Sequence, residues 1–131
     1  MVSVIIVAAG ASLRMGGVNK QLAKIGDTPV FVMSALKFEH SEKVSEIIIA
    51  APAEDIARYE KLARNFGVTK LKAVTAGGET RMLSVKNALE LISPRADFIA
   101  VHDGARPLIT TEDIDRVISD AERYDAAIAA A

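Results

Sequence analysis

The stretch Ser3–Ala9 is a continuous, β-branched run that closes on small residues and is followed by Gly10. A strand with one wet face alternates polar and apolar residues; this one does not, so it predicts a strand covered on both faces. Only layers of other elements on either side can supply that cover, which makes this run the strongest constraint in the chain. Further apolar runs stand at Ile47–Ala51, Leu71–Thr75 and Phe98–His102, separated by stretches of helical periodicity. That alternation predicts a parallel sheet with crossover helices and the Ser3 strand central.

The first helix is expected to take Thr28 as N-cap and Pro29 as its first residue, burying Val30, Met33 and Leu36. A second, over residues 54–66, turns Ile56, Tyr59 and Leu62 inward and stops at Gly67 in a left-handed conformation. The third, over residues 80–92, has Val85, Ala88, Leu89 and Ile92 at core spacing before Ser93-Pro94 ends it. The fourth starts at Thr110 or Thr111, where Glu112 and Asp113 suit the helix dipole, and carries Ile114, Val117, Ile118 and Ala121. Tyr59, Phe66 and the methionines are read as core.

With 131 residues, 50% hydrophobic and 25% charged, the chain suits one compact domain and neither a collagen-like nor a disordered one. It has no cysteine, so disulfides and thiolate metal sites are excluded, and its two histidines are too few for a zinc cluster without carboxylates. The apolar opening Val2–Ala11 is too short to span a bilayer and no basic residue precedes it, so a cytoplasmic protein is expected. Sixteen Lys and Arg against seventeen Asp and Glu leave a formal charge of −1. No global field therefore draws the protein to nucleic acid or an anionic membrane, and any phosphate ligand must meet locally placed cations. After Asp125 the run Ala126–Ala131 ends without a polar tail, which suggests a chain cut inside a larger domain; a short edge strand is the alternative.

In open α/β sheets ligands bind beyond the carboxyl ends of strands, so the residues leaving each run carry the information. The first exit contains Ala8, Ala9, Gly10, Ala11, Ser12, Arg14, Gly16, Gly17, Lys20 and Gln21. Small side chains there leave amides open to a polyphosphate, and Arg14 and Lys20 supply charge; a plain loop with solvated cations is the bland reading. No Gly-Lys-Ser/Thr closes this loop and Gly-x-Gly-x-x-Gly is absent, which argues against P-loop and dinucleotide readings. The third exit, Ala76-Gly77-Gly78-Glu79-Thr80-Arg81 followed by Ser84, allows close approach of a base or ribose, or merely a turn and a helix start. The fourth, Val101-His102-Asp103-Gly104-Ala105-Arg106-Pro107, aims Asp103 at the crevice, where it can bind a hard cation or a ribose hydroxyl. Arg106 there is a third cation, unless it pairs with Asp103 in a loop salt bridge. His102 has no Ser or Cys nucleophile to serve and is expected to satisfy a nearby backbone group.

Together the three exits resemble the cytidylyltransferases of the non-mevalonate isoprenoid pathway, which couple CTP to 2-C-methyl-D-erythritol 4-phosphate. The family's Ala-Ala-Gly-x-Gly-x-Arg-Met and Lys-Gln match Ala8–Met15 and Lys20-Gln21, with Ser12 where many members have Gly. Gly-Gly-x-x-Arg-x-x-Ser-Val matches Gly77–Val85, and Val-His-Asp-Gly-Ala-Arg-Pro stands intact at Val101–Pro107. The resemblance implies a Rossmann-like, mostly parallel sheet with helices on both faces, of the GT-A-like nucleotidyltransferase kind, with residues 1–131 forming the nucleotide-binding part of a single domain. It further implies attack of a phosphate oxygen on the α-phosphorus of CTP, with Mg²⁺ across the triphosphate. Arg14 and Lys20 would be the catalytic cations. Ala8, Ala9, Gly10, Ala11, Ser12, Gly78, Glu79, Ser84, Asp103 and Gly104 would hold CTP, with Asp103 also the metal ligand, and Arg106 would meet methylerythritol phosphate. Family members continue beyond this chain into a dimerising arm, further acceptor contacts and a downstream Lys, so the full-length form is expected to be a homodimer. The related ribitol-phosphate cytidylyltransferases usually differ between Asp103 and Pro107, and a CTP-binding fragment without activity is the remaining alternative.

Overall fold

The computed structural model describes residues 1–9 and 21–124. Strands β1 (Val2–Val7), β4 (Val44–Ala51), β5 (Leu71–Ala76) and β6 (Phe98–Asp103) form one sheet in the order β5-β4-β1-β6, with every pairing parallel. Every residue of β1 is buried, as a continuous apolar run in an interior strand requires. Helices α1 (Val30–Glu39), α2 (Ile56–Asn65) and α4 (Thr111–Tyr124) cover the face bearing Val4, Ile6 and Ala8. Helix α3 (Arg81–Leu89) covers the face bearing Ile5 and Val7, with Ile48 and Ala88 between. The expected α/β architecture, with helices on both faces, is therefore present. Cover is thinnest at β6, where Ile99 and Val101 remain 45% and 38% exposed.

The chain enters α1 differently from the expectation. Lys24–Ile25 (β2) and Thr28–Pro29 (β3) pair antiparallel around Gly26, whose φ is 65°. Pro29 is thus the N-cap rather than the first helical residue. The first helical amides are satisfied by backbone instead of a capping side chain: Val30 N–H donates to Ala23 O and Phe31 N–H to Gln21 O. The buried face also differs, being Phe31, Val32, Ser34, Ala35 and Phe38, with Val30, Met33 and Leu36 only partly covered. Because α1 is apolar on several sides, periodicity alone does not select its inner face; ring packing does. Phe31 lies 4.5 Å from the Tyr59 ring and Phe38 lies 5.2 Å from His102.

Helix α2 buries Tyr59 and Ala63, leaving Ile56 and Leu62 at the margin. Gly67, with φ 96°, closes it as expected: Gly67 N–H reaches Arg64 O and Val68 N–H reaches Ala63 O. Phe66, read as core, is instead the half-exposed C-cap. Met82 is likewise no core residue, at 80% exposure, and Leu89 is exposed. Both follow from α3 burying only the Ser84–Ala88 line against the sheet. The starts of α3 and α4 are as read, with Thr80 Oγ1 accepting from Leu83 N–H and Thr110 Oγ1 from Asp113 N–H, whereas α3 stops at Leu89, capped by Glu90, short of the expected Ile92.

Candidate functional site

Parallel pairing places the exits of all four strands at one rim, and backbone bonds fasten neighbouring exits together. Ala8 N–H donates to Ala50 O at 2.8 Å, Gly77 N–H to Ala51 O at 2.6 Å and Gly104 N–H to Val7 O at 2.8 Å. Gly78 and Asp103 thus stand on the same rim, about three strand spacings of 4.8 Å apart. Arg14 and Lys20, with Gly10, Ala11 and Ser12, lie outside the described residues.

At the first and third exits the chain segments approach to side-chain contact. A Cβ on Gly77 would fall 2.1 Å from the Ala9 Cβ and 3.0 Å from Ser84 Oγ, so only glycine allows these two exits to meet. A Cβ on Gly78 would fall 2.3 Å from the Leu83 Cβ. Ser84 is buried in the first turn of α3, and its Oγ accepts Gly78 N–H at 3.0 Å. The Ser84 hydroxyl and the Gly78 amide therefore serve one another and set the loop's shape. Asn87, which the sequence reading passed over, donates its amide to Ala76 O at 2.9 Å and holds the end of β5. Glu79 is exposed just before the helix, Ala8 is buried in the core, and Ala9 is partly covered.

The fourth exit is a tight turn. Asp103 Oδ1 accepts Ala105 N–H at 3.0 Å, and Asp103 O accepts Arg106 N–H at 3.1 Å. No Asp103–Arg106 ion pair forms among the described residues, so the loop salt bridge that competed with a ligand role is not what occupies these charges. His102 Nε2 bonds the Arg106 carbonyl at 2.9 Å, the backbone role expected of it. Burial pushes the His102 pKa below its ordinary value of 6.5, against the opposing pull of that bond and of Asp103. Gly104 is buried, and a Cβ there would come 2.6 Å from Gln21 Oε1. Beyond the turn an open groove of about 920 Å³ runs between β6 and α4, past Arg81, Asp103, Arg106, Leu108 and Arg116. Arg116 is paired with Asp113, whereas Arg81 and Arg106 are exposed without an ion-pair partner among the described residues.

The donor set tests the expected cation. Among the described residues no group of three or more His, Asp or Glu could cage a metal. Mg²⁺ usually keeps to one or two carboxylates and completes its shell with phosphate and water, and Asp103, with Oδ1 committed to Ala105 and Oδ2 without a protein bond among the described residues, fits that pattern.

The fold is that of a doubly wound α/β protein, with glycine-rich turns gathered at the carboxyl rim of the sheet, where open sheets of this class bind their ligands. Residues 2–131 match the model of the 2-C-methyl-D-erythritol 4-phosphate cytidylyltransferase (IspD) family, and the chain belongs to that family. It is 37% identical to the cytidylyltransferase of that name from Prosthecochloris aestuarii, covering 96% of this chain and 56% of that protein. The namesake from Geobacillus kaustophilus is 35% identical, over 96% of this chain and 55% of that one. Among solved structures, Francisella tularensis IspD superposes with a TM-score of 0.70 at 29% identity, covering 92% of this chain and 52% of that chain. The synthase from Anaerococcus prevotii, at 21% identity and a TM-score of 0.78 over 94% of this chain and 51% of that one, shares the fold. The chain spans just over half the length of these curated relatives.

Proposed function

We propose that this chain is the nucleotide-handling part of an enzyme that transfers CMP from CTP to 2-C-methyl-D-erythritol 4-phosphate, releasing pyrophosphate, in isoprenoid precursor synthesis. The observation that carries the reading is the match of residues 2–131 to that family, on a sheet whose motif-bearing exits share one rim. In the reaction a phosphate oxygen of the acceptor forms a bond to the α-phosphorus while the bond to the bridging oxygen breaks, and pyrophosphate leaves with that electron pair. The protein's part is to hold two anions together and to meet the charge that develops between them. Arg14 and Lys20 are the catalytic cations, and the small residues Ala9, Gly10, Ala11 and Ser12 bring backbone amides to the triphosphate, whereas Ala8, expected from the sequence to hold CTP, is buried with its amide donated to Ala50 O and fixes the strand end instead. Glu79, which can only accept, suits a ribose hydroxyl or a base amine rather than a phosphate. Gly78 and Ser84 shape the nucleotide wall, and Arg106 meets the acceptor phosphate. Asp103 and the triphosphate would hold Mg²⁺, which supplies charge neutralisation when bound. The full-length enzyme is read as a cytoplasmic homodimer; no described helix is long and apolar enough to cross a membrane.

Calorimetry of the purified chain with CTP and Mg²⁺, run beside a pyrophosphate-release assay with methylerythritol phosphate and ribitol phosphate, tests this. Micromolar uptake of CTP that needs Mg²⁺ is expected. Turnover of methylerythritol phosphate assigns the whole reaction to residues 1–131, whereas binding without turnover confines them to holding the nucleotide. Absence of CTP binding overturns the reading.

A further inference from the structure

Ser34 lies within α1 with no solvent exposure, and the chemistry above makes no use of it. A serine inside a helix commonly returns its proton to the carbonyl four residues back. Here that carbonyl, Val30 O, is 3.4 Å away, while Gly104 O, seventy residues along the chain, is at 2.7 Å. The shorter bond is the one that leaves the helix, from beneath the sheet to the turn at the ligand rim. Gly104 C=O and Ala105 N–H belong to a single planar peptide unit, so fixing one end orients the other. The other end is the amide that donates to Asp103 Oδ1. One rigid plane therefore links the Ser34 hydroxyl to the Asp103 carboxylate. The remaining bonds of the turn come from its own residues and from β1: Gly104 N–H to Val7 O, Arg106 N–H to Asp103 O, and His102 Nε2 to Arg106 O. Among these bonds Ser34 makes the one that ties the turn to the helical layer.

Resting on the nucleotide reading, we propose that Ser34 is a positioning residue, which sets the 104–105 peptide plane and through it the stance of the Asp103 carboxylate toward bound nucleotide. The test uses the whole 131-residue chain in four forms: wild type, Ser34→Ala, Ser34→Thr, and Val32→Ala as a control in the same helix that is buried but bonded to nothing in the turn. Two quantities are read, amide hydrogen exchange at Ala105 and calorimetric affinity for CTP with Mg²⁺. Ser34→Ala should speed exchange at Ala105 and weaken CTP binding, each by about tenfold, the scale of one buried hydrogen bond. Ser34→Thr, which keeps the hydroxyl, should restore both, and Val32→Ala should lower the melting temperature without moving either. Should Ser34→Ala not fold, Ser34→Cys, with its weak donor, replaces it. Unchanged exchange at Ala105, faster exchange with unchanged affinity, or equal effects from Val32→Ala would each overturn the proposal. A wild-type chain that takes up no CTP overturns the nucleotide reading instead, and exchange alone then shows whether Ser34 fixes the turn.

Discussion

At Asp103 the backbone, rather than a cation, steadies a carboxylate: one oxygen takes the Ala105 amide, and no ion pair with Arg106 forms among the described residues. Asp103→Asn keeps the accepting oxygen and removes the charge. Its melting temperature should stay within about 2 °C of wild type, while the gain in CTP affinity on adding Mg²⁺ should fall at least about tenfold. Titrations with and without the metal measure this, and an unaltered Mg²⁺ dependence would remove Asp103 from the metal's shell. For Lys20 the expectation is kinetic: Lys20→Ala in the full-length enzyme should lower kcat by about two orders of magnitude, and near wild-type turnover would refute the catalytic role. Asp103, Gly104 and His102 were legible in the sequence because a strand end followed by glycine has few meanings. Ser34 was not, since a serine among apolar helical residues gives no sign that its partner lies seventy positions away. Nor could the sequence show that Ser84 would spend its hydroxyl on Gly78.

Elements lock together at the end of the sheet remote from the candidate site. Glu46, buried near the start of β4, accepts Ser3 Oγ at 2.6 Å and Ser93 N–H at 2.9 Å, with Lys72 Nζ 3.7 Å away. It thereby joins β1, β4 and β5 to the segment after α3. Burial pushes its pKa up, but the bonds from Ser3 and Ser93 and the Lys72 charge together hold it below the ordinary 4.5. Between its folded pKa and 4.5 the unfolded chain binds more protons, so stability rises with pH there. The contribution is complete above 4.5 and disappears as pH falls through the folded value. Glu46→Gln should cost about 1–2 kcal/mol near neutral pH, and its deficit should shrink in acid; denaturant melts from pH 7 to 3 would show it. A constant deficit across that range would contradict the assignment. β1 and β4 were readable because burial on both faces demands unbroken apolar runs, whereas α1 hid its inner face by being apolar on several sides. The β2–β3 hairpin was missed because Thr28-Pro29 also satisfies the pattern of a helix start.

For the molecule as a whole, the strand order sets a gradient of protection. Strands β1 and β4 are paired on both edges, whereas β5 and β6 are the outer strands of the described sheet and β6 is thinly covered as well. Native-state hydrogen exchange should be slowest at Ile5, Ile6 and Ile48 and markedly faster along β6, the profile expected when opening begins at the edge. Equal protection in all four strands would contradict it. The same order has a second consequence. Gly77 and Gly104 flank the sheet's centre from opposite sides, fastened to different neighbours, Ala51 and Val7, by separate backbone bonds. Substitutions on the two flanks should therefore combine additively in their energies. Sequence change on one flank can then accumulate across generations without a compensating change on the other.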